Sequence, residues 1–222
     1  TEWWYATGWL TAGDPAAAVP AFGFGSAEAF GFQVTFFRSR TGIAGDHPSR
    51  FAARQIVFAH AALTDLAGRR LQHDQRLARA GFGIAETAEH DTRVALRGWT
   101  FERSGPPEAS RYHARLASDG AGFAFDFELA ATQPLLLQGE AGFSRKGPRP
   151  QQASHYYSQP QLAVAGTLTR EGRTQALRGR AWLDHEWSDE YLAAEASGWD
   201  WIGFNLFDGS ALTAFRLRRP DD

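Results

Sequence analysis

Apolar residues recur at every second position along most of this chain, not at helical spacing, and the alternation predicts strands almost throughout. GFAFDFELA (122–130) is the clearest run: Phe123, Phe125, Phe127 and Leu129 share one face, while Ala124, Asp126 and Glu128 share the other. QLAVAGTLT (161–169) repeats the pattern with Leu162, Val164 and Leu168, and RYHARLAS (111–118) sets Tyr112 and Leu116 against Arg111, His113 and Arg115. Similar runs cover 2–11, 30–39, 55–65, 70–79, 92–103 and 174–187, followed by GWDWIGFNLF and SALTAFRLR. Glu171-Gly172 and Asp208-Gly209 separate adjacent runs, and both pairs suit the positive φ angles of a tight hairpin. The pattern amounts to about ten short antiparallel strands, the signature of an all-β barrel or, alternatively, a β-sandwich. The stretches 13–29, 41–53, 104–110 and 144–153 are rich in Pro, Gly and Ala and read as loops; only 186–197 offers a helical turn. With no internal repeat or composition break, residues 1–222 read as a single β domain.

Composition narrows the function classes. Apolar residues make up 43% of the chain and the net charge is -2, so nothing points to nucleic acid or an anionic surface as partner. Lys146 is the only lysine among 23 basic residues, and no basic block stands out. The absence of cysteine removes disulfides, thiolate metal sites and thiol nucleophiles. No apolar run approaches the roughly 20 residues of a membrane span, and residues 1–222 contain no signal-peptide pattern. The aromatic content is the anomaly: 14% of the chain, with 17 Phe and 8 Trp.

Candidate chemistry sits on strands. In AWLDHEWSDE (181–190), alternation puts His185 and Trp187 with Ala181 and Leu183, and puts Asp184 and Glu186 on the opposite face with Trp182. The segment is therefore not one compact cluster, and with no zinc-type ligand spacing we expect no metal. Other polar groups also sit on apolar faces: His60 with Ile56 and Phe58, Glu2 with Trp4, and Asp200 with Ile202, Phe204 and Leu206. Trp199, Trp201 and Asn205 take the other side of that last strand. Acids, histidines and tryptophans on such faces predict a ligand pocket, an elongated cavity in a barrel suited to a long apolar molecule. Neither a GxSxG elbow nor a GxGxxG turn is present.

TEWWYATGWL, FGFQVTFFRSR, QIVFAHAALTD, SHYYSQPQLAVAGTL, GRAWLDHEWS and GWDWIGFNLFDGSALTAFRLR, taken in order, resemble the AttH-like and carotenoid 1,2-hydratase family of lipocalin-like proteins. The resemblance runs nearly end to end, and the EWWY, DHEWS and GWDW blocks carry it in combination. It implies a lipocalin-like (calycin) antiparallel β-barrel, followed in family members by a second, C-terminal β domain. It also implies an N-terminal Trp (Trp3, Trp4 or Trp9) packed on Arg216 or Arg218 to close the barrel. A bacterial periplasmic or secreted location follows from the same resemblance, as does chemistry without a cofactor. His185 and Trp187 match the HxW positions implicated in the hydratases. Asp200 is the candidate acid on physical grounds, from its apolar neighbours. Glu2, Trp4, His60, Tyr157, Trp199, Trp201 and Asn205 are the candidate ligand-binding residues.

Two functions follow from these residues. The first is a lipocalin-like domain that binds or processes a long hydrophobic small molecule, a lipid or isoprenoid. The alternative is a cofactor-free hydratase or isomerase that protonates an isoprenoid double bond and adds water, with Asp200 or Glu2 as acid and His185 on the water.

Overall fold

The computed structural model describes residues 1–13, 28–190, 192–193 and 195–220. Its strands are β1 (Glu2–Ala12), β2 (Ala29–Arg40), β3 (Gln55–Asp65), β4 (Arg70–Arg79), β5 (Ala85–Thr87), β6 (Arg93–Leu96), β7 (Trp99–Ser104) and β8 (Arg111–Ser118). They continue with β9 (Phe123–Ala130), β10 (Leu136–Leu137), β11 (Phe143–Arg145), β12 (Ala153–Arg170), β13 (Arg173–Glu190), β14 (Gly198–Asn205) and β15 (Ala211–Arg218). Eleven strands form a nearly closed antiparallel barrel in the order β4-β3-β2-β1-β13-β12-β9-β8-β7-β6-β5. The short β10 and β11 pair with β12, and β14–β15 is a separate hairpin. The barrel, not the sandwich, is the observed fold.

Alternation decides what lies inside. On β9 the four residues Phe123, Phe125, Phe127 and Leu129 are buried, while Asp126 and Glu128 face water, paired with His113 and Arg111 of β8. Phe125 and Phe127 stack at 4.6 Å, and Phe32 of β2 meets Phe127 edge-on at 5.3 Å. Each such buried ring contributes about 2–3 kcal/mol by area alone. Trp99, Phe36, Phe101, Leu10 and Leu63 join them, so the lower interior is packed. The elongated cavity expected inside the barrel is not found among the described residues.

Side chains tie edge strand β4 to β7 and β8 across the barrel's open side. Arg76 donates to Ala117 O at 2.7 Å and lies 4.3 Å over the Trp99 ring. Ser118 Oγ donates to Asp74 Oδ2 at 2.7 Å. A second cation–π contact sets Arg38 of β2 at 5.8 Å over Trp4, whereas Arg218 lies 3.6 Å from Asp200.

Three elements differ from the sequence reading. The run 92–103 is two strands, because Arg97 (φ +50°) and Gly98 (φ +84°) make a two-residue hairpin turn. The strand read from 161 begins at Ala153: Pro160 is absorbed in a bulge between Gln159 and Leu162, with Gln161 at φ +54°. Residues 186–190 complete β13 instead of starting a helical turn; Tyr191 and Ala194 lie outside the described residues. The predicted loop 13–29 falls mostly at 14–27, also outside them.

Candidate functional site

Register across the sheet assembles two rows of side chains at one end of the barrel. The inner row runs Tyr157–His185–Trp4–Phe36, drawn from β12, β13, β1 and β2, with each neighbour directly opposite the next. The rim row runs Phe143–His155–Trp187–Glu2–Arg38 from β11, β12, β13, β1 and β2. Within a strand, residues two apart lie on one face, so Glu2 and Trp4, like His185 and Trp187, point to the same end. From these rows Glu2, Arg38, Tyr157, His185 and Trp187 border a cavity of about 480 Å³ at the barrel mouth, which Thr92, Arg103, Tyr112 and Leu135 also line.

At its centre is a hydrogen-bonded chain. His185 Nε2 lies 2.7 Å from Glu2 Oε1, and His185 Nδ1 lies 2.9 Å from the Tyr157 hydroxyl. Arg38 Nε donates to the other Glu2 oxygen, and Arg38 Nη1 donates to Ala88 O at 2.8 Å. Burial works against an ionised Glu2, but the hydrogen bond from His185 and the charges of His185 and Arg38 outweigh it. They hold the carboxyl below its usual range. An ionised carboxylate has no hydrogen to give, so His185 donates from Nε2. In the neutral ring, Nδ1 then accepts the Tyr157 O–H. Burial pushes the Tyr157 hydroxyl far up, so it stays protonated, and Tyr112 beside it is pushed up for the same reason. Side chains of His185 and Glu2 are each only 12% exposed. Trp4 stacks on the imidazole at 5.1 Å and Trp187 lies tilted against it at 4.8 Å. Trp4 is itself fixed by donating Nε1–H to Thr92 Oγ1 at 3.1 Å.

A second polar cluster lies on the outside of the same wall. Asp184, 5% exposed, accepts from Ser158 Oγ at 2.5 Å and Trp182 Nε1 at 2.8 Å. Burial leads the causes that raise its carboxyl to about 6, with the repulsion of Glu186 adding to it. Glu186 accepts from Ser154 and is paired with Lys146 at 3.0 Å. Lys146 sits 4.1 Å over the Phe215 ring, and Trp201 Nε1 donates to Tyr156 OH at 3.0 Å, so the β14–β15 hairpin is docked on this cluster.

The structure thus brings together Glu2, Trp4, Tyr157, His185 and Trp187 and leaves the other sequence candidates elsewhere. Asp200 is outside the mouth: its side chain is 60% exposed on the solvent side of the hairpin beside Arg218, so the apolar surroundings expected of it are missing. His60 points outward against Phe37 and Phe58, because the inward positions of β3 are Val57, Ala59, Ala61 and Leu63. Trp199 and Trp201 lie across the wall, on the hairpin. Asn205 is an anchor: its Oδ1 accepts from Gln161 N at 2.8 Å, and its Nδ2 donates to Ala181 O at 2.9 Å. Glu2, offered as a possible acid, is the ionised orienting partner of His185. Arg38, Thr92, Arg103 and Tyr112 are not among the sequence's site candidates; of these Arg38 carries a signal, a charge in phase with Val34 and Phe36.

A model of the AttH-like family matches residues 1–222. The crystal structure of a candidate AttH protein from Nitrosomonas europaea is 47% identical, with a TM-score of 0.82, over 100% of this chain and 61% of that one. Kievitone hydratase from Nectria haematococca is 14% identical with a TM-score of 0.63, over 100% of this chain and 62% of its own, a likeness of fold. This chain therefore spans under two thirds of the length of either. No curated protein matches it significantly.

Proposed function

The chain belongs to the AttH-like family, and on that premise we propose that the barrel mouth is a cofactor-free acid–base site of hydratase type. Its reaction is the addition of water to a carbon–carbon double bond of an apolar small molecule, or the reverse. The observation that carries the reading is the Glu2–His185–Tyr157 chain, two hydrogen bonds of 2.7 and 2.9 Å bordering one cavity.

Tyr157 is too poor an acid to protonate an alkene alone, and its raised proton affinity keeps tyrosinate from forming. When His185 carries a second proton, Tyr157 passes its O–H hydrogen to the alkene carbon while taking one from His185 Nδ1. The cation that results is captured by water, and the proton lost by that water returns through Tyr157 to His185. Glu2, held by Arg38, keeps the imidazole oriented throughout and stabilises its charge. Trp187, which lines the cavity, offers its ring to the cation and contributes about 0.5–2 kcal/mol, while Trp4 backs the imidazole from beneath. Because the lower interior is packed, the mouth accepts the end of a long molecule and not its length. An isoprenoid terminus meets that description. We read the extra length of the relatives as a second β domain that encloses the rest of the substrate.

The test is ¹⁸O-water incorporation into squalene or an acyclic carotenoid, presented in detergent micelles to the full-length protein. The expected result is one incorporated oxygen, falling about 10²–10⁴-fold in Tyr157→Phe and His185→Ala. Undiminished turnover in His185→Ala rejects the mechanism.

A further inference from the structure

We propose that the cleft between the β14–β15 hairpin and the outer wall of the barrel is a second binding site, one that takes an apolar organic cation. This cleft encloses about 370 Å³, within the range of small-molecule sites, and lies on the opposite face of β13 from the mouth. Its walls are aromatic: Trp3 and Tyr5 from β1, Phe37 and Phe58 from β2 and β3, and Trp199 and Trp201 from the hairpin. Phe37 and Phe58 stack on each other at 4.4 Å on one side of the cleft, and Tyr5 meets Trp201 edge-on at 6.0 Å on another. Aromatic rings grouped around a space attract a weakly hydrated cation wherever a face is turned to it, which is how aromatic cages hold quaternary ammonium groups.

The floor supplies the charge. Asp184 and Glu186 both border the cleft, and they are not equivalent. Lys146 neutralises Glu186 at 3.0 Å. Asp184 has hydroxyl and indole donors instead, and the charge acting most on it is the repulsive one of Glu186. A cation in the cleft would sit against a carboxylate whose ionisation is disfavoured without it, which makes binding and proton release linked. The other titratable groups facing Asp184 are Tyr156 and Tyr5, both pushed up by burial and neutral. The hairpin presents rings to it, and the amino group of Thr1 at the rim donates to Ser188 O at 2.8 Å.

The probe is benzyltrimethylammonium, followed by tryptophan fluorescence and calorimetry, with its neutral isostere neopentylbenzene as control. The cation is expected to bind at least about tenfold tighter than the isostere. It should also bind about tenfold tighter at about pH 7.5 than at about pH 5, as Asp184 ionises. Asp184→Asn should remove both differences. Trp199→Ala, an exposed position whose loss does not threaten folding, should weaken the cation severalfold. His185→Ala should leave binding unchanged, since it faces the mouth. Equal affinity for the isostere, no saturable binding, or a signal lost in His185→Ala instead of Trp199→Ala overturns the proposal.

Discussion

Replacing Asp184 by Asn tests the electrostatics of the outer wall without disturbing its shape. Burial raises the native carboxyl from its ordinary 3.8 to about 6, a gap of about two pH units. Between those values the native protein binds a proton that the unfolded chain has released, so stability falls as pH rises across the window. The contribution is fully favourable below the unfolded value and is lost above about pH 6. Each unit is worth about 1.4 kcal/mol, so the whole swing is about 3 kcal/mol. Asn keeps an acceptor for Ser158 and Trp182 and has no charge to bury. Urea unfolding of both proteins at intervals from about pH 4 to 7.5 reads the difference between them, which cancels the histidines and other carboxylates they share. Relative to the variant, the parent should lose about 2.4 kcal/mol over that range, the rest of the swing falling below pH 4. A constant offset at all pH values would mean that Asp184 titrates alike in folded and unfolded chains, and the reasoning would fail.

Further outcomes follow from contacts already described. Asn205→Ala strands Gln161 N–H and the Ala181 carbonyl and should cost about 1–3 kcal/mol; hydrogen exchange should then rise in residues 198–218 before it rises in the barrel. Lys146→Met leaves Glu186 buried without its partner and should cost about 3–5 kcal/mol by denaturant unfolding, far more than an exposed Arg–Glu pair such as Arg111–Glu128 would. Glu2→Gln should flatten the loss of stability that the parent shows as pH falls through the lowered carboxyl value, below 4.5.

What the sequence disclosed was whatever period two can carry. It separated His185 and Trp187 from Asp184 and Glu186, and the structure puts them on opposite sides of one wall. It could not say which side of a strand is the inside. On β3 the larger apolar residues Ile56 and Phe58 face outward, because the narrow interior accepts Ala59 and Ala61. On β14 the face carrying Ile202 and Phe204 is the solvent side. The partnership of Glu2 with His185 spans 183 positions and exists only because β1 pairs with β13, a matter of topology that no local pattern records. Arg38 was within reach, since a charge in phase with Val34 and Phe36 demands a partner inside the barrel.

The single lysine has a practical consequence. Lys146 is 7% exposed, and the rings of Tyr156 and Phe215 cover its ammonium group. Every other side-chain cation of the basic set is an arginine, inert to succinimidyl esters. Acylation at that one residue, followed by peptide mass mapping, therefore counts how often the hairpin lifts from the wall. The protein carries its own reporter for that opening, with no residue to engineer.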